Sequence, residues 1–110
     1  MRHGTAPAHV YTSAAEIANV FGYANLNEHL DGIQSIPEYL TELAERATAL
    51  VNSYLIGKYL PADLKESIRV REITTFIALY KLSIRTGQPE LYLYEYQAAI
   101  DDLRSFKVGD

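Results

Sequence analysis

The stretch "SIPEYLTELAERATALVNSYLIGKYLP", residues 35–61, decides the fold. Its apolar residues Leu40, Leu43, Ala44, Ala47, Leu50, Val51, Tyr54 and Leu55 recur every three to four positions, which sets them along one side of a helix of about five turns. Ser35 and Glu38 form a capping box at its start, with Pro37 just inside. Gly57 ends it, because glycine takes the left-handed conformation of a helix C-cap at little cost, and Pro61 argues against quick resumption. Tyr54, Gly57, Tyr59 and Pro61 thus mark a structural corner. A helix stopped so sharply is one whose angle to the next is being fixed.

Beyond the corner the pattern predicts a helix from about Leu64 to Thr86, with Ile73, Ile77, Tyr80 and Ile84 on one side and Ile68, Leu79 and Leu82 on another. Being apolar over much of its circumference, it is expected at the centre. Gly87 and Pro89 end it and open a last helix, Glu90 to about Ser105, whose predicted buried stripe is Leu93, Tyr96, Ile100 and Leu103. Upstream, Ser13 and Glu16 cap a short helix in "SAAEIANVFG" that closes at Gly22. "YANLNEHLDG" adds a turn or two between Tyr23 and Asp31, with Gly32 as its stop. Nothing reads as a strand. The expected fold class is all-α, a small bundle of four to five helices with Leu43, Leu50, Ile73, Ile77, Tyr80 and Ile100 in its core. Residues 1–10 are expected to be a flexible segment, 11–106 one domain and 107–110 a tail. From Ser105 onward there are too few apolar groups to offset ordering entropy in the free chain.

With 110 residues the chain can bury roughly two thirds of the surface that it exposes unfolded, enough to fold without staples. It has no Cys, which excludes disulfides, thiol catalysis and thiolate metal sites. A net charge of -4 argues against wholesale phosphate binding but leaves room for a local basic patch. No apolar run approaches a membrane span, and "MRHGTAPAHV" lacks the apolar segment of a signal peptide, so a soluble, unexported protein is expected. His3, His9 and His29 lack the spacing that sets two ligands on one helix face, and Glu28, His29 and Asp31, adjacent on a turn, point to different sides. There is no nucleophile elbow and no phosphate-cradling glycine loop. No catalytic residue, metal site or cofactor is expected, and the chain reads as a non-enzyme.

Nine tyrosines are the unusual feature, three of them packed into "LYLYEYQ". At helical spacing Tyr92, Tyr94 and Tyr96 cannot share one face, so some lie at the rim or outside the core. Tyr supplies large apolar area at low entropy cost and is enriched at interfaces, which makes Tyr92 and Tyr94 candidate contact residues. Charge gives a second signal. Glu38, Glu42 and Glu45 fall on an acidic stripe of the long helix, and Arg71, Lys81 and Arg85 share a basic stripe with Thr74 and Ala78. They suit complementary contacts between copies of the chain, although most exposed helix charges do nothing measurable.

"ERATALVNSYLIGKYLP", the Ile-, Leu- and Tyr-rich helix after it, "RTGQPE", an aromatic and acidic helix and a closing "KVGD" resemble a family of small head-gene proteins of tailed phages and Mu-like prophages. That family shows a "YLxGxYxLP"-like corner, an inner helix, a "GxPxE"-like link and a last helix leading to a "GK(V)"-like tail. Tyr54, Leu55, Gly57, Tyr59, Pro61, Gly87, Pro89, Glu90, Lys107 and Val108 match, and "AEIANVFG" corresponds to its usual start. The family is similar to helical head-tail connector, or adaptor, proteins. The resemblance implies a homo-oligomeric ring, dodecameric in such proteins, beneath the portal protein. DNA would touch it only in passing through the channel, and the next tail or connector component would dock on it. It implies a place at the virion head-tail junction, reached from the host cytoplasm. The alternative from another class is a small helical DNA-binding regulator that reads with Arg71, Lys81 and Arg85, against which stand an apolar reading helix and an acidic chain.

Overall fold

The structure, a computed structural model, describes residues 9–30, 35–55 and 57–106. Six helices follow one another in the described residues: α1 Ala14–Phe21, α2 Tyr23–His29, α3 Ile36–Leu55, α4 Pro61–Glu66, α5 Ile68–Arg85 and α6 Leu93–Arg104. No strand occurs among them, and the chain is all-α. The caps form as their residue types dictate. Ser13 Oγ accepts the Glu16 amide at 3.1 Å, and Ser35 Oγ accepts the Glu38 amide at 3.4 Å. After α5, the Gln88 amide reaches the Ser83 carbonyl at 2.7 Å and the Gly87 amide reaches that of Ile84 at 3.1 Å. These are the paired bonds of a Schellman end, with Gly87 at φ +77°.

Two predicted helices are redrawn. The helix expected from Leu64 to Thr86 is α4 plus α5. Pro61, expected to delay a new helix, occupies the first turn of α4, where its missing N–H has no partner to lose. Ser67 then turns extended (φ -80°, ψ 122°) and caps the Val70 amide at 3.2 Å, so α5 starts afresh. The last helix begins at Leu93 instead of Glu90, because residues 89–92 form turns.

Helix α5 is central, packing against α1, α3, α4 and α6. Val70, Ile73, Thr74, Ile77, Ala78, Leu79 and Leu82 are buried around it. Its neighbours run against it: Arg69 at its start meets Asp102 near the end of α6 at 3.7 Å, and Arg85 at its end acts on Tyr39 at the start of α3. Of the expected core, Leu43, Ile73 and Ile77 are buried, whereas Leu50 and Ile100 pack half-buried at its edge and Tyr80 is half-buried against Tyr96. Ile68 and Ile84, at the ends of α5 beyond the reach of its neighbours, are exposed. On α6 the inward stripe is Tyr92, Tyr96, Ala99 and Leu103, one position away from the predicted Leu93 and Ile100. The small Ala99 lets the helix approach α5, and Tyr92 sets its rotation by packing against Phe21 and Phe76, with ring centroids 6.3 and 6.5 Å away.

Packing extends to both edges of the expected domain, 11–106. Val10 packs on the core, and Tyr11 is buried. Phe106, in the stretch from Ser105 onward read as too poor in apolar groups to order in the free chain, is buried instead. Residues 1–8, the rest of the expected flexible segment, and the tail 107–110 lie outside the described residues, as does the expected stop at Gly32. Among the described residues no helix is long and apolar enough to cross a membrane.

Candidate assembly surface

The corner is held from two directions. Locally, the Leu55 carbonyl accepts the amides of Lys58 at 3.1 Å and Tyr59 at 3.2 Å, closing a turn that holds Gly57 at φ +89°, a region that side-chain-bearing residues rarely adopt. At long range the Tyr59 hydroxyl donates to the Phe106 carbonyl at 3.4 Å, and the two rings meet edge to face at 5.8 Å and 83°. Arg69 adds its guanidinium 4.9 Å from the Phe106 ring centre. The start of α5, the corner and the end of α6 are thereby tied together. Tyr54 packs half-buried against the core, and Pro61 opens α4. The corner leaves Leu60 and Ile68 outside, each 68% exposed, although both are large and apolar.

The charge stripes fare differently. Glu38 is exposed, Glu42 and Glu45 are half-exposed, and Glu42 pairs with Arg46 one turn on along its own helix. The acidic row is therefore partly neutralised within the chain. On α5, Arg71, Lys81 and Arg85 are exposed, but Thr74 and Ala78 between them are fully buried. The expected basic face thus divides into two patches about 15 Å apart along the helix axis, with the core between them. Arg71 stands with Lys65 beside a cleft at the start of α1 that Glu16 also lines. Lys81 and Arg85 stand at the other end of α5. Burial pushes the Tyr39 phenol above its ordinary value, Arg85 and Arg46 pull it back, and Glu42 adds to the rise. Glu42 and Arg85 thus act on the same phenol within one copy.

The three clustered tyrosines separate as their spacing requires. Tyr94 points outward and is 81% exposed, while Tyr96 stacks on Tyr80 with ring centres 4.2 Å apart. Tyr92 is half-buried, and that burial raises its phenol above the ordinary range, with Glu95 adding to the rise. Of the dismissed Glu28, His29 and Asp31 trio, only the exposed Glu28 has a described side chain.

A buried hydroxyl network escaped the sequence reading. The Tyr11 amide donates to Thr48 Oγ1 at 3.1 Å, and Thr48 in turn donates to the Ala44 carbonyl at 2.8 Å. The Tyr11 hydroxyl donates to Asn52 Oδ1 at 2.6 Å. Thr75 Oγ1 lies 2.7 Å from the Arg71 carbonyl and 2.6 Å from Thr12 Oγ1. The carbonyl can only accept, so Thr75 gives it its proton and Thr12 donates to Thr75. These bonds fasten residues 11–12 across α3 and α5 before α1 begins. The signal lay in Thr48 and Thr75, polar residues within apolar helix patterns.

No family model, no curated protein and no solved structure matches the chain.

Proposed function

We propose that the chain is a non-enzymatic structural protein of a tailed phage, a head-tail connector whose copies form a ring beneath the portal. It would reach the head-tail junction from the host cytoplasm, extend the DNA channel and offer a platform to the next tail component. The observation that carries this reading is the corner. Four of the residues on which the connector resemblance rests, Tyr54, Gly57, Tyr59 and Pro61, lie in this one stretch of chain, which the Tyr59–Phe106 contact ties to the end of α6. That junction still presents Leu60 and Ile68 to solvent. An angle held so firmly, with apolar side chains left outside it, suits a subunit whose ring closes only if each copy keeps the same shape. DNA reading by α5 has no comparable support, since nine of its residues are buried in the core and its cations fall in two separate patches.

Deleting the gene from the phage or prophage that encodes it provides the test. DNA-filled heads and free tails that fail to join, rescued by the chain supplied in trans, are the expected result. Particles of normal yield and infectivity would overturn the proposal.

A further inference from the structure

The backbone at Tyr59 carries a pairing that the helices do not explain. Tyr59 makes the lone β-bridge of the described residues, and none of those residues is its mate. It also has a further interaction besides its hydroxyl bond and ring contact with Phe106. The local chain explains why the bridge is a single residue long. Gly57 turns the backbone at φ +89° just before it, and Pro61, with no N–H to give to a ladder, opens α4 just after it. Residues 58–60 are left as a short edge, extended at Leu60 (φ -75°, ψ 136°), and such an edge takes one short extended segment.

Apart from Ile56, which belongs to the corner itself, three stretches lie outside the described residues: 1–8, 31–34 and 107–110. The link 31–34 joins the start of α3, whereas the corner follows its end. The twenty residues of α3 set the two about 30 Å apart, more than four residues span. Residues 1–8 enter at His9, where the chain is bound to Thr48 and Thr75 and runs beside Lys65 and Arg71. Residues 107–110 instead leave from Phe106, which already touches Tyr59 through its ring and its carbonyl. Two extended residues cover about 7 Å, which returns the chain from the Tyr59 hydroxyl, where the Phe106 carbonyl sits, to the Tyr59 backbone. Residue 108 is then the mate. Phe106, Lys107 and Val108 alternate apolar, charged and apolar, the pattern of a strand with one covered face. With Phe106 buried, Val108 falls on its side, toward Tyr59, and Lys107 on the other.

We infer that residues 107–110 dock on the corner of their own chain, with Val108 pairing with Tyr59 beside the buried Phe106. The tail is a clasp that joins the end of α6 to the corner by backbone bonds as well as by the Phe106 ring. Composition left this tail too poor in apolar groups to order alone, but the edge supplies hydrogen bonds that composition does not count. The segment that would compete for the edge is another extended chain with apolar residues two apart. The clasp belongs to the free chain and does not depend on the ring reading, which its loss would leave untouched.

Nuclear magnetic resonance on the whole chain tests it, across a dilution series followed by sedimentation. Cross-relaxation between the Val108 methyl groups and the Tyr59 ring is expected at every dilution. At least one amide of residues 107–109 should exchange roughly twofold to tenfold more slowly than in a free peptide of the same sequence. Val108→Pro removes an N–H, and a chain stopped after Phe106 removes the tail; both should keep the helical circular dichroism and both should move the Tyr59 and Leu60 amide signals. A chain without residues 1–8 should leave those two signals in place. Absent cross-relaxation, with residues 107–110 exchanging as fast as the peptide, overturns the inference. So does movement of the Tyr59 signal on removing residues 1–8 but not 107–110, which would make the N-terminal segment the mate. Cross-relaxation found only between differently labelled copies in a mixed sample, and lost on dilution, would make a second copy's tail the occupant and overturns it as well.

Discussion

Replacing Tyr59 and Phe106 singly and together measures how firmly the corner is held. Tyr59→Leu removes a half-buried ring, its edge-to-face contact with Phe106 at 5.8 Å and a hydrogen bond to the Phe106 carbonyl. The ring contact is worth about 0.5–1.5 kcal/mol beyond burial. The hydrogen bond, at 3.4 Å, belongs at or below the low end of the usual net 0.5–1.5 kcal/mol. With the loss of ring packing the single substitution should cost about 1–3 kcal/mol, a sizeable share of the roughly 5–15 kcal/mol typical of a domain. Phe106→Leu should cost a similar amount, since it also removes the surface over which Arg69 lies. Because the Tyr59 hydroxyl bonds the backbone of residue 106, that bond survives Phe106→Leu. The double-mutant cycle therefore isolates the ring contact, and Tyr59→Phe reports the hydrogen bond separately. Urea unfolding followed by circular dichroism should give a coupling of about 0.5–1.5 kcal/mol. A coupling indistinguishable from zero would show that the corner is not tied to the end of α6, and the rigid-angle reasoning would fall with it.

Other consequences follow from burial and bonding. Ile77→Ala, at a fully buried position in α5, should cost about 2–5 kcal/mol in calorimetry, and the half-buried Leu50→Ala clearly less; equal losses would show that the edge of the core is misplaced. Thr75→Val strips the Thr12 hydroxyl of its acceptor and should cost about 1–3 kcal/mol by urea unfolding, whereas a neutral result would mean that the segment before α1 is not fastened there. Burial raises the phenols of Tyr11, Tyr39 and Tyr92 above their unfolded value. The folded state then holds its protons longer, so this part of the stability is complete below the ordinary tyrosine pKa and is lost as pH rises through the folded values. Ultraviolet titration should show late-ionising tyrosines that disappear in urea, and nine tyrosines titrating alike would contradict the burial.

Helix boundaries were legible where a side chain or a glycine makes the cap. Ser13, Ser35, Gly22, Gly57 and Gly87 carry local chemistry that the rest of the fold does not alter. The break at Ser67 was not legible, because Leu64 and Ile68 continue an apolar rhythm across it and no acid stands three residues after Ser67 to complete a capping box. The rotation of α6 was hidden for another reason. Leu93 and Tyr92 offer almost equal apolar area, and only the Phe21 and Phe76 rings, from two distant helices, decide which turns inward. The basic row on α5 met the same limit. Spacing aligned Arg71, Thr74, Ala78, Lys81 and Arg85 correctly, but how much of the row the other helices cover is a tertiary fact. The hydroxyl network joins residues up to 63 apart in sequence, beyond any local pattern.

The connector reading is tested most directly by cryo-electron microscopy of the particle whose genome encodes the chain, with density resolved at the head-tail junction. The account predicts a ring of this six-helix domain immediately beneath the portal, each copy with α3, α5 and α6 in the arrangement described and the Gly57–Pro61 corner unchanged. A junction complete from portal to tail, with every density accounted for by other proteins, would contradict it.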